Sequence, residues 1–230
     1  MTVVALDGVT RVHGAGETAV AALKGVSLQV GEGELVAVMG PSGSGKSTLL
    51  NIAGGLDRPT AGTVRIDGRD LAGVRDLAAL RRRSVGFVFQ DLNLITSLTA
   101  AENVMLPREL DGVRSRRARE EAMAVLTEIG AASLADRFPD ELSGGQRQQI
   151  AIARALVGER RLLLADEPTG ALDTLTGDEI LRLLAARCAT GASVLLVTHE
   201  PRYAAWADRV VFLRDGQIAD TTDTPMASAR

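Results

Sequence analysis

The sequence predicts an α/β fold in which a largely parallel sheet carries an antiparallel layer and an inserted helical segment. Residues 162–165 are continuously apolar, and residues 193–198 are a second such run between a terminal serine and threonine, as expected of central parallel strands covered on both faces. A predicted helix at about 176–188 lies between them and gives a β-α-β unit. From about 99 to 157 the chain lacks convincing strands, so this stretch is the predicted helical insertion.

The first third of the chain supplies the antiparallel layer. Residues 2–9 predict a strand, and residues 26–30 predict another with alternating polarity. Residues 63–68 predict a strand that ends in an Asp-Gly turn. Residues 34–39 are a short apolar run and predict a buried strand, and residues 85–90 predict a further buried strand that ends on a polar residue.

Three later segments complete the predicted order of elements. Residues 116–129 carry apolar side chains at helical spacing and are followed by Gly130, a residue type common just after a helix. Residues 210–218 predict a final hairpin about an Asp-Gly pair. The last residues, 221–230, are predicted to be a frayed tail.

Length and composition predict a single domain, or a core with a subdomain, because 46% of the 230 residues are hydrophobic. We divide the chain into a core of residues 1–90 and 158–220, a helical subdomain of about residues 91–157, and the tail. The formal charge of −3 argues against nucleic-acid binding by overall electrostatics. Nucleic acid is therefore not an expected partner.

Several other classes of protein are not expected. Cys188 is the one cysteine, so no internal disulfide can form, which suits a reducing compartment; its expected role is helix packing. Two histidines are too few to suggest a zinc site. The N-terminus lacks a signal-peptide pattern, and no apolar stretch approaches the roughly 18 residues that span a bilayer. At a membrane, another polypeptide would have to supply the spanning part.

Residues 40–48 match the phosphate-binding pattern G-x-x-x-x-G-K-[ST] without a mismatch. They lie between a predicted strand and a predicted helix, so loop N–H groups and the helix N-terminus would face an anion. Lys46 is expected to reach the β- and γ-phosphates of a nucleotide, and Ser47 to ligate Mg²⁺. A turn that binds nothing would need neither side chain. The predicted nucleotide-binding residues are Gly40, Pro41, Ser42, Gly43, Ser44, Gly45, Lys46, Ser47 and Thr48.

Two carboxylates follow the apolar run of residues 162–165, in the arrangement known as Walker B. Asp166 is expected to hold Mg²⁺, directly or through water. Glu167 is placed to act as a general base on the water that attacks the γ-phosphate. The alternative is a strand that simply ends in an acidic turn, and the phosphate-binding loop upstream favours the nucleotide site.

A second possible anion site lies far from the first in the chain, at residues 142–146 (Leu-Ser-Gly-Gly-Gln). A serine at the N-cap position and two glycines there precede a helix with periodic apolar residues. Two anion sites in one chain need not serve the same nucleotide. The predicted binding residues of the second site are Ser143, Gly144, Gly145 and Gln146.

Taken together, these motifs make the sequence resemble the ATP-binding-cassette (ABC) ATPases, the nucleotide-binding subunits of ABC transporters. Residues 142–146 match that family's signature motif, and Gln90 stands where the family has its Q-loop glutamine. Residues 171–173 match the D-loop, and His199 follows a strand as the H-loop histidine does. The resemblance runs from residue 3 to about 218. It implies a P-loop NTPase with a RecA-like core, an antiparallel β subdomain and an inserted helical subdomain.

Residues 85–90, 98–104 and 166–173 are similar to the bacterial group that contains the MacB, LolD and FtsE ATPases. This similarity implies a separate FtsX-like integral-membrane permease as partner and export as the direction of transport. It also implies a peripheral location at the cytoplasmic face of the cell membrane. Residues around 92–103 would form the lip of the groove that grips the permease.

The resemblance further implies how the site works. Two copies of the chain would meet head to tail, and each ATP would lie between the phosphate-binding loop of one copy and the signature motif of the other. The implied catalytic residues are Lys46, Gln90, Glu167 and His199. The implied magnesium ligands are Ser47, Gln90 and Asp166. The D-loop residue implied to contact nucleotide is Asp173.

One position departs from the family pattern. The family usually has an aromatic residue, mostly tyrosine, near the N-terminus that stacks on adenine. An ungapped count from residues 23 and 24 places His13 there, and Val12 is the alternative if the alignment shifts by one. A histidine can stack, but it offers less area than a tyrosine. A surface residue without a role in binding is the other interpretation of His13.

Three functions are alternatives to a transport ATPase. ATP cycles could drive a permease that transmits force and moves no solute. A soluble single-cassette ATPase of an assembly system, without a membrane partner, is a second alternative. A catalytically inactive regulatory cassette is disfavoured, because the sequence retains every catalytic residue that the resemblance implies.

Overall fold

The structure, a computed structural model, describes residues 1–223 and contains two sheets with helices packed around them. The strands are β1 Thr2–His13, β2 Val20–Gly31, β3 Leu35–Met39, β4 Ala61–Ile66, β5 Arg69–Asp70, β6 Val85–Val88, β7 Leu162–Asp166, β8 Ser193–Val197, β9 Arg209–Arg214 and β10 Gln217–Asp223. The α-helices are α1 Lys46–Ala53, α2 Leu77–Ser84, α3 Ala100–Leu110, α4 Ser115–Glu128, α5 Gly144–Leu156, α6 Thr174–Ala189 and α7 Pro201–Ala204. The predicted fold class is confirmed.

The larger sheet has six strands in the order β10-β9-β3-β8-β7-β6. All of its strand pairs are parallel except that of β9 with β10. β7 and β8 are buried at every position, which explains their continuous apolar runs. Helix α6 connects these two neighbours, as the sequence predicts. The carboxyl ends of β3, β6, β7 and β8 therefore meet at one edge of the sheet.

The smaller sheet is antiparallel, in the order β2-β1-β4-β5. β1 and β2 extend beyond residues 2–9 and 26–30, the ranges predicted from the sequence. Register shifts interrupt their pairing, and Gly8 and Gly25 adopt φ values of 57° and 69° beside those shifts. Such bulges break the two-residue alternation, so the sequence pattern understates the length of the hairpin.

The predicted tail is wrong in its first three residues. Residues 221–223 belong to β10 and pair with Val211, Val210 and Arg209 of β9. Two of these residues are threonines, which favour strands, and the hairpin partner supplies hydrogen bonds that an isolated tail would lack. The remainder of the predicted tail, residues 224–230, lies outside the described residues.

Two hydrophobic clusters cover the two faces of the larger sheet. Alternate residues of β3, β7 and β8 enter opposite clusters, because successive side chains of a strand point to opposite faces. One cluster contains α1 and the antiparallel sheet, and the other contains α3, α4, α5 and α6. Cys188 is buried in the second cluster, which confirms its predicted role in packing.

Helix α5 lies unusually close to the sheet. A Cβ atom on Gly86 of β6 would lie 2.0 Å from the carbonyl oxygen of Ala155, so only glycine fits at this crossing. Helix α4 ends as predicted, since Gly130 follows it with a φ of 71°. Within residues 1–223, no helix has both the length and the apolar character needed to cross a membrane.

Candidate functional site

The loop of residues 40–48 packs tightly against two strands, β9 and β2. A Cβ atom on Gly40 would lie 2.1 Å from the carbonyl oxygen of Leu213, and one on Gly45 would lie 2.4 Å from that of Ala22. Both glycines have positive φ, and Gly45 is the N-cap of α1. The loop therefore needs glycine at both places, and its N–H groups and the N-terminus of α1 form an anion cradle.

Lys46 and Asp166 bring opposite charges to this cradle. The ammonium group of Lys46 donates hydrogen bonds to the carbonyl oxygens of Gly40, at 2.8 Å, and Pro41, at 2.9 Å. Burial raises the pKa of Asp166, against the opposing effects of a hydrogen bond from the Ser47 hydroxyl and of the positive charge of Lys46. A buried carboxylate beside a hydroxyl is a hard oxygen donor set, so these residues fit Mg²⁺.

Glu167 and His199 follow the neighbouring strands β7 and β8 and contact each other. Nδ1 of His199 lies 2.8 Å from Oε1 of Glu167. This hydrogen bond, together with the negative charge of Glu167, raises the pKa of His199. Glu167 has a φ of 51°, a left-handed conformation that is rare outside glycine and common at functional sites.

A cleft of about 880 Å³ joins the cradle to these residues. The predicted site residues that line it are Gly40, Pro41, Ser42, Gly43, Gly45, Lys46, Ser47, Thr48, Gln90, Asp166, Glu167 and His199. Ser44 is buried within the loop and does not line the cleft. The structure thus brings residues that follow β3, β6, β7 and β8 into one site, at the sheet edge where ligands bind in open α/β folds.

The signature motif lies outside the lining of this cleft. Ser143 is the N-cap of α5: its hydroxyl accepts a hydrogen bond from the N–H of Gln146, whose side chain accepts one from the N–H of Ser143. Gly144 and Gly145 form the first turn, with Gly145 packed against the carbonyl oxygen of Ala171. Asp173 likewise caps α6, and its hydrogen bonds with Thr176 lower its pKa.

His13 lies at the exposed end of β1, where it pairs with Val20, and neither it nor Val12 lines the cleft. Ala22, in the second strand of the same hairpin, does line the cleft. Adenine stacking by His13 or Val12 therefore stays a prediction.

Gln148 is a cleft residue that none of the sequence motifs singles out. This side chain is 3% exposed and lines the inner end of the cleft, where it contacts the backbone on both sides of the turn that follows β7. One sequence feature could have identified it: Gln148 lies at helical spacing from the apolar residues of α5. The buried apolar residues of this helix are Ile150, Ala151, Ile152, Ala153, Ala155 and Leu156. A polar residue on the apolar stripe of a helix needs hydrogen-bond partners in the core.

The family model described as ABC transporter matches residues 23–170. The chain therefore belongs to the ABC transporter family, and the class of protein that its fold and site define is the ATP-binding cassette, an ATPase.

More particularly, it is similar to the MacB and YknY proteins, as the sequence resemblance predicts. It is 47% identical to the uncharacterized ABC transporter ATP-binding protein YknY of Bacillus subtilis, over 93% of this chain and 94% of that protein. It is 49% identical to the macrolide export ATP-binding/permease protein MacB 1/2 of Paracoccus denitrificans, over 93% of this chain and 32% of that protein. The chain thus spans about a third of the MacB relative.

Solved structures give the same result. The dimeric ATP-binding cassette MJ0796 in a post-hydrolysis state, bound to ADP and Pi, matches with a TM-score of 0.91 and 43% identity. The match covers 96% of this chain and 98% of that one. A second dimeric structure of MJ0796, described as a bacterial ABC transporter cassette, matches equally well.

Proposed function

We propose that two copies of this chain close around two ATP molecules and that closure drives an integral-membrane permease in export. The observation that carries the proposal is the separation of the two phosphate-binding elements. The loop of residues 40–48 lines the cleft, whereas residues 143–146 do not. A head-to-tail partner would place its signature motif over the open side of the cleft, and two chains would then complete two sites.

The residues of the cleft have distinct roles in this proposal. Lys46 and the loop N–H groups hold the β- and γ-phosphates. Ser47, Gln90 and Asp166 would hold Mg²⁺, which supplies charge neutralisation at the phosphates when bound. Glu167 accepts a proton from the attacking water while the β,γ-phosphate bond breaks, which gives ADP and phosphate. The 2.8 Å contact with His199 holds the carboxylate of Glu167 in place.

Similarity to known proteins supports the dimer and the permease. The two MJ0796 structures are described as dimeric. The MacB relatives are described as macrolide export ATP-binding/permease proteins, and this chain matches about a third of their length. We therefore propose a separate permease of the FtsX-like class for this chain, and a peripheral location on the cytoplasmic face of the cell membrane.

The proposed docking element is residues 92–103, a loop that runs into the start of α3, within a helical subdomain of about residues 91–157. A groove of about 450 Å³ lies between this loop and the segment that precedes α5. Leu94 and Arg147 contribute apolar and charged surface to the groove, and Gln90 lines both the groove and the ATP cleft. A permease segment in the groove would therefore touch the same residue as the nucleotide site.

The test is a pull-down from solubilised membranes of the source organism with ATP and Mg²⁺. Glu167→Gln should bind ATP and hydrolyse it very slowly, so the closed state should persist and retain a polytopic membrane protein. Lys46→Ala is the matched control, because it should lose nucleotide binding and the ATP-dependent part of the capture. Recovery of soluble partners alone would overturn the proposal of a permease partner and would favour a soluble cassette of an assembly system.

A further inference from the structure

Gln148 of helix α5 bridges the two ends of the turn that carries Glu167. Its Nε2 donates a hydrogen bond to the carbonyl oxygen of Glu167 at 2.9 Å, and its Oε1 accepts one from the N–H of Ala171 at 2.7 Å. The side chain is 3% exposed, so both bonds are shielded from water. A glutamine amide carries one acceptor and one NH₂ group, so its two ends hold the two ends of the turn.

The backbone that Gln148 holds is strained. Glu167 has a φ of 51°, and a residue with a side chain keeps this conformation only where its surroundings enforce it. Three contacts do so: the N–H of Glu167 donates to Val197 of β8, and its carbonyl oxygen accepts from Gln148 and from the N–H of Gly170. Gln148 is the only side chain among these partners within the described residues.

Gln148 is attached to a firmly placed helix. The backbone of α5 packs directly on Gly86 of β6, as the 2.0 Å distance from a Cβ on Gly86 to the Ala155 carbonyl oxygen indicates. The same helix begins at the signature motif, with Ser143 as its N-cap. The amide of Gln148 therefore joins the helix that begins with the signature motif to the turn that carries Glu167.

We propose that Gln148 is a positioning residue for hydrolysis: it holds Glu167 in its left-handed conformation and thereby aims the carboxylate beside His199. Packing alone does not require glutamine, because an apolar residue would suit this buried face of α5 better. The proposal rests on the proposed role of Glu167 as the general base. It gives the signature helix a direct mechanical link to the base of its own subunit.

The test compares ATPase rates of Gln148→Met and Gln149→Met, measured where the rate per subunit no longer rises with protein concentration. Methionine has a similar size to glutamine and can make neither hydrogen bond. Gln148→Met should lower kcat by about 10- to 100-fold, the loss typical when a residue that orients a metal-binding side chain is removed. The ATP Kd should stay near that of the unaltered chain, and the melting temperature should fall by only a few degrees, because two backbone groups lose their side-chain partner. Gln149→Met is the control: it makes the same substitution at the next residue and should leave kcat unchanged.

A double-mutant cycle separates positioning from a general structural role. In the Glu167→Gln background, Gln148→Met should cause little further loss, because the residue on which it acts is already changed. An equal fractional loss in both backgrounds would overturn the proposal, as would a normal kcat for Gln148→Met. If Gln148→Met does not fold, Gln148→Asn replaces it, since asparagine keeps both polar groups but is too short to reach both partners.

The cycle also distinguishes failure of the inference from failure of the proposed function. Near-normal hydrolysis by Glu167→Gln alone would show that Glu167 is not the general base, and the positioning role of Gln148 would then fail as well. Slow hydrolysis by Glu167→Gln together with a normal rate for Gln148→Met would overturn only the inference.

Discussion

The contact between His199 and Glu167 in the cleft depends on pH, because the charge of the histidine changes as it titrates. The hydrogen bond and charge of Glu167 raise the pKa of His199, so the imidazolium form is favoured in the folded chain. A raised pKa means that the contribution of this pair is fully present below the ordinary histidine pKa of about 6.5. That contribution is lost as the pH rises through the folded-state value. The histidine side chain is 67% exposed, so the effect on global stability is small.

Glu167→Ala should therefore lower the pKa of His199 toward its ordinary value. The measurement is an NMR titration of the imidazole protons in the nucleotide-free chain. His13 is the second of the two histidines, and a His13→Ala background leaves only the signal of His199. An unchanged titration of His199 in Glu167→Ala would show that the contact with Glu167 does not persist in solution.

Among the secondary-structure elements, α3 and α5 fix the proposed docking loop. Arg154 of α5 donates hydrogen bonds to the carbonyl oxygens of Leu92, at 2.5 Å, and Asn93, at 2.6 Å. Leu92 and Asn93 both have positive φ, so the loop turns sharply there and the guanidinium holds the turn. Burial lowers the pKa of Arg154, yet the group remains a cation at neutral pH.

Asn103 of α3 holds the other end of this loop. Its amide nitrogen donates to the carbonyl oxygens of Ile95, Leu98 and Thr99, and its amide oxygen accepts from the N–H of Ile95. The residue is 0% exposed, so no water can replace these bonds without rearrangement. The groove beside the loop is therefore already formed in a single chain.

Asn103→Leu should lower the free energy of unfolding by about 2–4 kcal/mol, because it leaves several buried backbone groups without partners. Urea unfolding followed by circular dichroism measures this change. Leu110→Asn is the control, since Leu110 lies on the same helix and is 60% exposed. The control should change stability by less than about 0.5 kcal/mol. A comparable loss in both variants would contradict the role assigned to Asn103.

In the proposed function, the molecule as a whole presents two incomplete phosphate sites, one in the cleft and one at the start of α5. ATP bound to a single chain would leave its γ-phosphate facing solvent at the open cleft, and a second chain would cover it. Each nucleotide would then contribute to the contact between subunits, so dimerisation should depend on ATP and not on ADP.

Glu167→Gln with ATP and Mg²⁺ should accordingly elute as a dimer in size-exclusion chromatography, and with ADP as a monomer. Adding Ser143→Glu should abolish the dimer, because a carboxylate at the start of α5 repels the phosphates of the partner's nucleotide. ATP binding to one chain should survive this change, since Ser143 does not line its own cleft. A dimer that persists in the double variant would count against the head-to-tail arrangement.

Local patterns were sufficient for much of this protein. The apolar runs of β7 and β8 predict central strands because strands buried on both faces cannot tolerate alternation. The loop of residues 40–48 is recognisable because its geometry demands glycine at fixed places and its chemistry demands Lys46 and Ser47. Asp166 and Glu167 are predictable for a related reason, since they stand at the end of an apolar run, whereas His199 is predicted from the family resemblance.

Other features depended on contacts between segments far apart in the chain. The sequence could not show that Gln148 reaches the backbone of Glu167, or that Arg154 holds Leu92 and Asn93, because these contacts join segments that only the folded chain brings together. The end of β10 was missed because threonines form a strand there only when β9 is beside them. The sequence alone thus determined the class of fold and most of the polar residues that line the cleft, since both follow from local residue requirements. Tertiary structure alone decided which buried side chains hold the turns beside the cleft, since that depends on packing between segments far apart in the chain.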